Sequence, residues 1–269
     1  MTAQQKLQNK ILKNLHICVG LDTDINKIPK HLLTSENPIL KFNEIIIENT
    51  FGLAAAYKIN FAFYEKDGAK GFENIIETIK LIPEDTLIIA DAKRGDIGNT
   101  AKMYAESVFN YFRCDSVTVN PYMGIDSVRP FLEFKDKITF VLGLTSNPSA
   151  EDFELKKLNS GKYLYQEIIQ KINEWNTESN CGVVFGATKF NNLSENLNLL
   201  KDLFTLLPGV GTQGGKLEDI VKLFGENNYN NYLINISRAL IYADDSKNFG
   251  IATHRKLVEY NKIVSNILN

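Results

Sequence analysis

The chain has 269 residues, 44% of them hydrophobic, and a formal net charge of −2. Its basic residues are spread along the sequence, which argues against nucleic acid or an anionic membrane as the main partner. The longest apolar runs are too short to span a bilayer, so a soluble cytoplasmic protein is expected.

The N-terminus, MTAQQKLQNKILKN, is polar with the pattern of a helix and lacks the apolar core of a signal peptide. Apolar runs bounded by turn signals then recur. The first four are HICVGLD (16–22), AAYKINF (55–61), TLIIADAK (86–93) and SVTVNPY (116–122). The next four are ITFVLGLT (138–145), CGVVFGA (181–187), TLLPGV (205–210) and YLINIS (232–237). Between them lie stretches with apolar residues at helical spacing, such as NPILKFNEIIIENTF, YLYQEIIQKINEW and KLEDIVKLF. The strand runs are nearly continuous in Val, Ile and Leu, as in strands covered on both faces. No linker or shift in composition divides the chain. The pattern predicts one domain over residues 1–269, an α/β fold of the (β/α)8 TIM-barrel type with an N-terminal helix. A doubly wound open sheet is the alternative topology.

In such a barrel the active site gathers at the C-terminal ends of the strands. Those ends carry Asp22, Lys58, Asn60, Asp91, Lys93, Asn120, Thr145 and Ser146, then Gln213 and Arg238 in the last two loops. Any one of them could be a helix cap or a solvated loop residue. Their joint placement favours a site. Asp91, Lys93 and Asp96 follow one another in IADAKRGDI at the mouth of the third strand. A surface ion pair would contribute under about 1 kcal/mol. Strand alternation instead puts Asp91 and Lys93 on one side, within reach of Lys58 from the neighbouring strand. A partly desolvated lysine held by carboxylates keeps its proton and presents it in a fixed direction, as a general acid must. None of His16, His31 and His254 falls at a strand's C-terminal end, so serine–histidine and cysteine–histidine chemistry lacks a base. Cys18, Cys114 and Cys181 are odd in number and far apart, which predicts buried reduced thiols instead of a zinc site or disulfides.

PGVGTQGGK (208–216) contains GxGxxG, but it falls near the seventh strand, with Pro208 leading in, and does not open a βαβ unit. A glycine-rich loop that wraps a phosphate with backbone amides fits better, with Gln213 adding a donor and Arg238 a bidentate guanidinium. The ligand expected is a phosphorylated small molecule. The RGD at 94–96 and the sequons at Asn192 and Asn235 would matter only in a secreted protein.

DAKRGDI resembles the DxKxxD signature of the orotidine 5'-phosphate decarboxylase family. CVGLD, YKINFAFYEKDGAKG, TSNP, PGVGTQGG and the Arg238 segment resemble its other blocks in the same order, from about Cys18 to about Tyr242. VGLDTDINKIP and KINFAFYE look closest to the branch sometimes called type 2. The resemblance implies a (β/α)8 homodimer with shared active sites that converts orotidine 5'-monophosphate to UMP and CO2 without metal or organic cofactor. It implies Lys93 as proton donor to C6, Asp91 beside the departing carboxylate and Asp96 reaching in from the partner subunit. Lys58 would complete the array and touch the ribose. Asp22 and Thr100 match ribose contacts, the latter offered across the dimer. Ser146 matches a contact to the base, Gln213 and Arg238 the phosphate grip, and Asn60 a further substrate contact. Ser237 is a departure, because many members have glycine before the arginine. Relatives on this scaffold that use Mg²⁺ need a carboxylate at the second strand's end, where this chain has Lys58. A sugar-phosphate binder without activity is the reading from another class.

Overall fold

Thr2 begins the first helix by a reciprocal cap: its hydroxyl accepts the Gln5 N–H at 3.2 Å, and Gln5 Oε1 accepts the Thr2 N–H at 3.0 Å. The computed structural model describes residues 1–211 and 215–269. Helix α1 (Ala3–Ile11) lies across the N-terminal end of a barrel and buries Ala3 and Leu7. Lys6 pairs with Asp115 at 2.9 Å and Lys10 with Asp85 at 3.0 Å, which fixes the helix over that opening.

Eight parallel strands close the barrel: β1 (Ile17–Gly20), β2 (Ala56–Asn60), β3 (Leu87–Arg94), β4 (Ser116–Val119), β5 (Ile138–Leu144), β6 (Cys181–Phe185), β7 (Phe204–Pro208) and β8 (Tyr232–Ile236). The ladder returns from β8 to β1 with Val19 opposite Ile236. All eight fall inside the predicted runs to within one residue, with β1, β4, β6 and β7 ending two or three residues short of them. The open-sheet alternative is thereby excluded. Inside the barrel, Cys18, Ala56, Leu87, Ile89, Ile138, Phe140 and Leu206 pack into one apolar cluster with Leu7. Gly182 makes that packing possible, because a Cβ there would stand 2.7 Å from the Phe204 carbonyl and 2.8 Å from the Phe140 ring.

The outer layer follows the chain. Helices α2 (Pro38–Thr50), α3 (Ala62–Glu65) and α4 (Gly68–Leu81) come first, with Asn37 capping α2 and Pro38 in its first turn. Next come α5 (Gly98–Glu106), α6 (Arg129–Leu132), α7 (Leu164–Trp175) and α8 (Phe190–Glu195). The layer finishes with α9 (Leu217–Glu226), α10 (Arg238–Ile241) and the twenty-residue α11 (Phe249–Leu268). The regular strand–helix alternation is weakest after β4. There only a 3-10 turn, Gly124–Ser127, and the four-residue α6 connect to β5, with Pro130 in the first turn of α6. Cys18, Cys114 and Cys181 are free and buried, as expected. Among the described residues no helix is long and apolar enough to cross a membrane.

Candidate active site

The register of β2 on β3 sets Asn60 opposite Asp91 and Lys58 opposite Ile89. Lys58 therefore starts two residues deeper in the barrel and extends its stem toward the mouth, where Nζ meets Asp91 Oδ2 at 2.8 Å. Asp22, just beyond β1, brings Oδ1 to 3.5 Å from the same ammonium. Burial alone would push the Lys58 ammonium down, but Asp22 and Asp91 outweigh it and hold the group above the ordinary lysine range. Burial would likewise raise the Asp91 carboxyl, and Lys58 and Lys93 overcome that to hold it well below the usual carboxylate range. Both groups are charged near neutrality.

Lys93 reaches Asp91 by a route that simple alternation misses. Its φ is +46°, in the left-handed region, and the β3–β4 register shifts between Ala90 and Arg94. The Lys93 N–H donates to Thr118 Oγ1 at 3.0 Å, and that hydroxyl donates to Asp91 Oδ1 at 2.9 Å. Lys93 Nζ meets the same Asp91 oxygen at 2.6 Å. Thr118, one residue inside the end of β4, thus pins both the kink and the carboxylate. The Lys93 side chain is 51% exposed in the isolated chain, so the expected desolvation holds for Lys58 and Asp91 but not for Lys93.

Beneath Asp22 a buried polar network fixes the β1 loop. Thr23 Oγ1 donates to Asn43 Oδ1 at 2.6 Å, and Asn43 Nδ2 donates to the Tyr64 hydroxyl at 2.9 Å. Tyr64 in turn donates to the Leu21 carbonyl at 2.9 Å. From the other side, Tyr242 donates to the Asp22 carbonyl at 3.1 Å and accepts the Asp24 N–H at 2.8 Å. These bonds hold the loop's backbone and leave Asp22 Oδ1 buried without a hydrogen-bond partner among the described residues.

A cavity of about 500 Å³ opens at this end of the barrel. Asp22, Lys58, Asn60, Asp91, Lys93, Ser146 and Arg238 all line it, so seven of the ten expected site residues share one space. Leu142, Val184 and Leu206 form an apolar wall. Arg238 opens α10, directly after Ser237, three strands round the mouth from Asp91. Ser237 fits because Gly20 faces it: a Cβ on Gly20 would lie 2.7 Å from Ser237 Cβ. Among the described residues Asn235 Oδ1 and Ser237 Oγ are buried without hydrogen-bond partners, and both residues line the cavity.

Two expected residues, Asp96 and Thr100, are not in that lining. Asp96 is half-buried and accepts the Ile97 N–H at 2.8 Å, and Lys93 makes no ion pair with it among the described residues. Thr100 is exposed in the first turn of α5, and Gln213 lies outside the described residues. Asn120 is exposed and caps the turn at Tyr122. The sequence reading overlooked Thr118, Glu154 and Asn235. Thr118 and Asn235 had a usable signal, since each is a polar residue inside an apolar strand near its C-terminal end. Glu154 had none, because no spacing ties it to the strand ends.

A family model described as the orotidine 5'-phosphate decarboxylase / HUMPS family matches residues 16–249. The chain is 46% identical over 252 residues to an orotidine 5'-phosphate decarboxylase of Phocaeicola vulgatus, covering 93% of this chain and 92% of that protein. It superposes on the structure of Leishmania donovani OMP decarboxylase with a TM-score of 0.83 and 32% identity, over 98% of this chain and 99% of the other. Leishmania donovani UMP synthase gives the same TM-score at 34% identity over 96% of this chain, which spans only 56% of that longer protein. By fold, sequence and the content of its cavity, the chain belongs to the orotidine 5'-phosphate decarboxylase / HUMPS family.

Proposed function

We propose that this chain decarboxylates orotidine 5'-monophosphate to UMP and CO2, with Lys93 as the proton donor. The observation that carries the reading is the alternating charge chain Lys58–Asp91–Lys93 at the ends of β2 and β3, set in the same cavity as Arg238. When CO2 leaves C6, the electron pair of the broken bond stays in the plane of the ring, where no conjugated system accepts it. An ammonium already aimed at that carbon stabilises the charge as it develops, then transfers its proton to C6. The products are UMP, CO2 and a neutral lysine that regains a proton from water. Asp91, fixed by Lys58 and Thr118, keeps Lys93 aimed. Arg238 and Gln213 hold the phosphate, Asp22, Lys58 and Thr100 the ribose, and Ser146 the base, with Asn60 as a further contact. Binding energy from the remote phosphate supports closure and exclusion of water at the ring.

The active unit in this reading is a homodimer of single-barrel chains, with Asp96 and Thr100 of each subunit serving the other's site. Ile97, Met103 and Tyr111 after β3, and Tyr122 and Met123 after β4, are exposed apolar side chains suited to burial against a second copy. No metal or organic cofactor is needed, because the place between Asp22 and Asp91 where a cation would sit is taken by the Lys58 ammonium. The near-zero net charge fits a cytoplasmic enzyme of small molecules without a nucleic-acid partner, and the likeness of VGLDTDINKIP and KINFAFYE to the type 2 branch supports membership there. The deciding assay follows the fall in ultraviolet absorbance of orotidine 5'-monophosphate with purified protein before and after EDTA. The fall should persist after chelation. No fall at all would overturn the activity, and one abolished by EDTA and restored by Mg²⁺ would overturn the metal-free chemistry.

A further inference from the structure

Ser146 sits in a turn that is fixed from three sides. Behind it, a Cβ on Gly186 would lie 2.7 Å from Ser146 N and 2.9 Å from its Cα, so glycine alone permits the approach. On one side Thr188 Oγ1 donates to the Ser146 carbonyl at 3.3 Å. On the other, Glu154 Oε2 accepts the Thr145 N–H at 2.6 Å, and Thr145 Oγ1, which also meets Asn147 Oδ1 at 2.6 Å, lies 2.8 and 3.0 Å from the two carboxylate oxygens. Glu154 is itself anchored. Its carbonyl accepts the N–H of Tyr165, a fully buried residue in the first turn of α7, at 3.0 Å.

Glu154, in the irregular segment between β5 and α7, lines the cavity. A carboxylate on the wall of a pocket for an anionic ligand disfavours binding through its charge, so its presence calls for another use. The bonds to Thr145 supply one. Charge-assisted bonds to a backbone N–H and a hydroxyl are about twice as strong as neutral ones, and they hold the residue next to Ser146. Among the described residues neither the Ser146 N–H nor its Oγ makes a hydrogen bond, which leaves a donor and a hydroxyl for a ligand.

We propose that Glu154 is a positioning residue for recognition of the pyrimidine ring, acting through Thr145 on Ser146, with Thr188 as its counterpart on the other side. The proposal rests on the nucleotide reading of the cavity. A purely structural role would draw no such distinction: the clamp matters for the base and not for the ribose phosphate, which the proposed reading gives to Asp22 after β1, Lys58 in β2 and Arg238 after β8.

Isothermal titration of UMP and of ribose 5-phosphate tests this in wild type, Glu154→Gln, Glu154→Ala and Thr188→Val. Wild type should prefer UMP. In Glu154→Ala that preference should shrink about tenfold, the loss expected for a charged partner of two donors, while ribose 5-phosphate binds as before. Glu154→Gln keeps an acceptor oxygen and should retain most of the preference. Thr188→Val should shrink it a few fold, and this variant decides the matter if Glu154→Ala does not fold. Equal weakening of both ligands, or an unchanged preference, would overturn the positioning role and leave the nucleotide reading standing. A wild-type protein without preference for UMP would overturn both.

Discussion

Lys93 Nζ and Asp91 Oδ1 meet at 2.6 Å across a backbone kink at which Lys93 takes a φ of +46°. A side-chain-bearing residue in that region costs about 1 kcal/mol or more, so the surrounding bonds must hold it there. The Lys93 N–H on Thr118 and the ammonium on Asp91 are those bonds. Strain kept at the mouth of a cavity serves aim. Lys93→Ala should therefore lower turnover by at least about a thousandfold, the upper part of the range for a positioned proton donor, while the protein still folds and binds UMP. The absorbance assay and titration with UMP read the two effects separately. Turnover within tenfold of wild type would remove Lys93 from the role.

Much of this site was legible because barrel topology converts sequence order into position. A polar residue just after an apolar run had to face the mouth, and Asp22, Lys58, Asn60, Asp91, Ser146 and Arg238 do. The kink at Lys93 was not legible, since a non-glycine residue at positive φ follows no local propensity and depends on Thr118 from another strand. Period-two alternation gave the right neighbour for the wrong geometric reason. Glu154 was hidden for a similar cause: its partner Thr145 is nine residues away through an irregular segment. Asp96 and Thr100 were read from a family motif, and nothing in one chain brings them to its own cavity.

Stability should fall in mild acid through His16. The ring is buried, stacked on Tyr232 at 4.1 Å, and its Nδ1–H donates to the Tyr232 carbonyl at 3.0 Å. Burial pushes the imidazole down from 6.5 to about 4. The unfolded chain therefore takes up a proton first as pH falls through about 6.5, and stability declines until the folded ring titrates near 4. Asp91, held low, loses its contribution only below the ordinary carboxylate range, and Lys58, held high, only above the ordinary lysine range of about 10.4. Neither titrates in this window. The decline attributable to His16 is about 3 kcal/mol, from 1.36 kcal/mol per pH unit over the shift. Urea unfolding at pH 7 and pH 4.5 should show it in wild type and much less in His16→Phe, which keeps the stack. Equal pH dependence in both would rule His16 out as the cause.

Arg238→Ala should cut turnover of the phosphorylated substrate at least about a hundredfold, the loss of charge-assisted bonds to phosphate. Decarboxylation of the nucleoside lacking phosphate should hardly change, because a guanidinium that grips phosphate has nothing to act on there. Comparing kcat/KM for the two substrates isolates that grip. Equal losses would mean that Arg238 supports the start of α10 and not the ligand.

The shared site is testable by mixing inactive chains. Asp96 lies in the loop that leaves β3, three residues beyond Lys93, yet it is absent from the lining of its own chain's cavity. In the proposed homodimer it serves the partner's Lys93. Chains carrying Lys93→Ala and chains carrying Asp96→Ala should each be inactive alone. Unfolded, mixed in equal amounts and refolded, they pair at random, so about half of the dimers are mixed. A mixed dimer has one site with both lesions. Its other site takes Lys93 from one chain and Asp96 from the other and is intact. Roughly a quarter of all sites should then recover wild-type turnover. If Asp96 instead served its own chain, every site would carry one lesion and mixing would restore nothing. Native mass spectrometry of tagged chains shows whether mixed dimers have formed, and background activity in their presence would sink the shared-site reading.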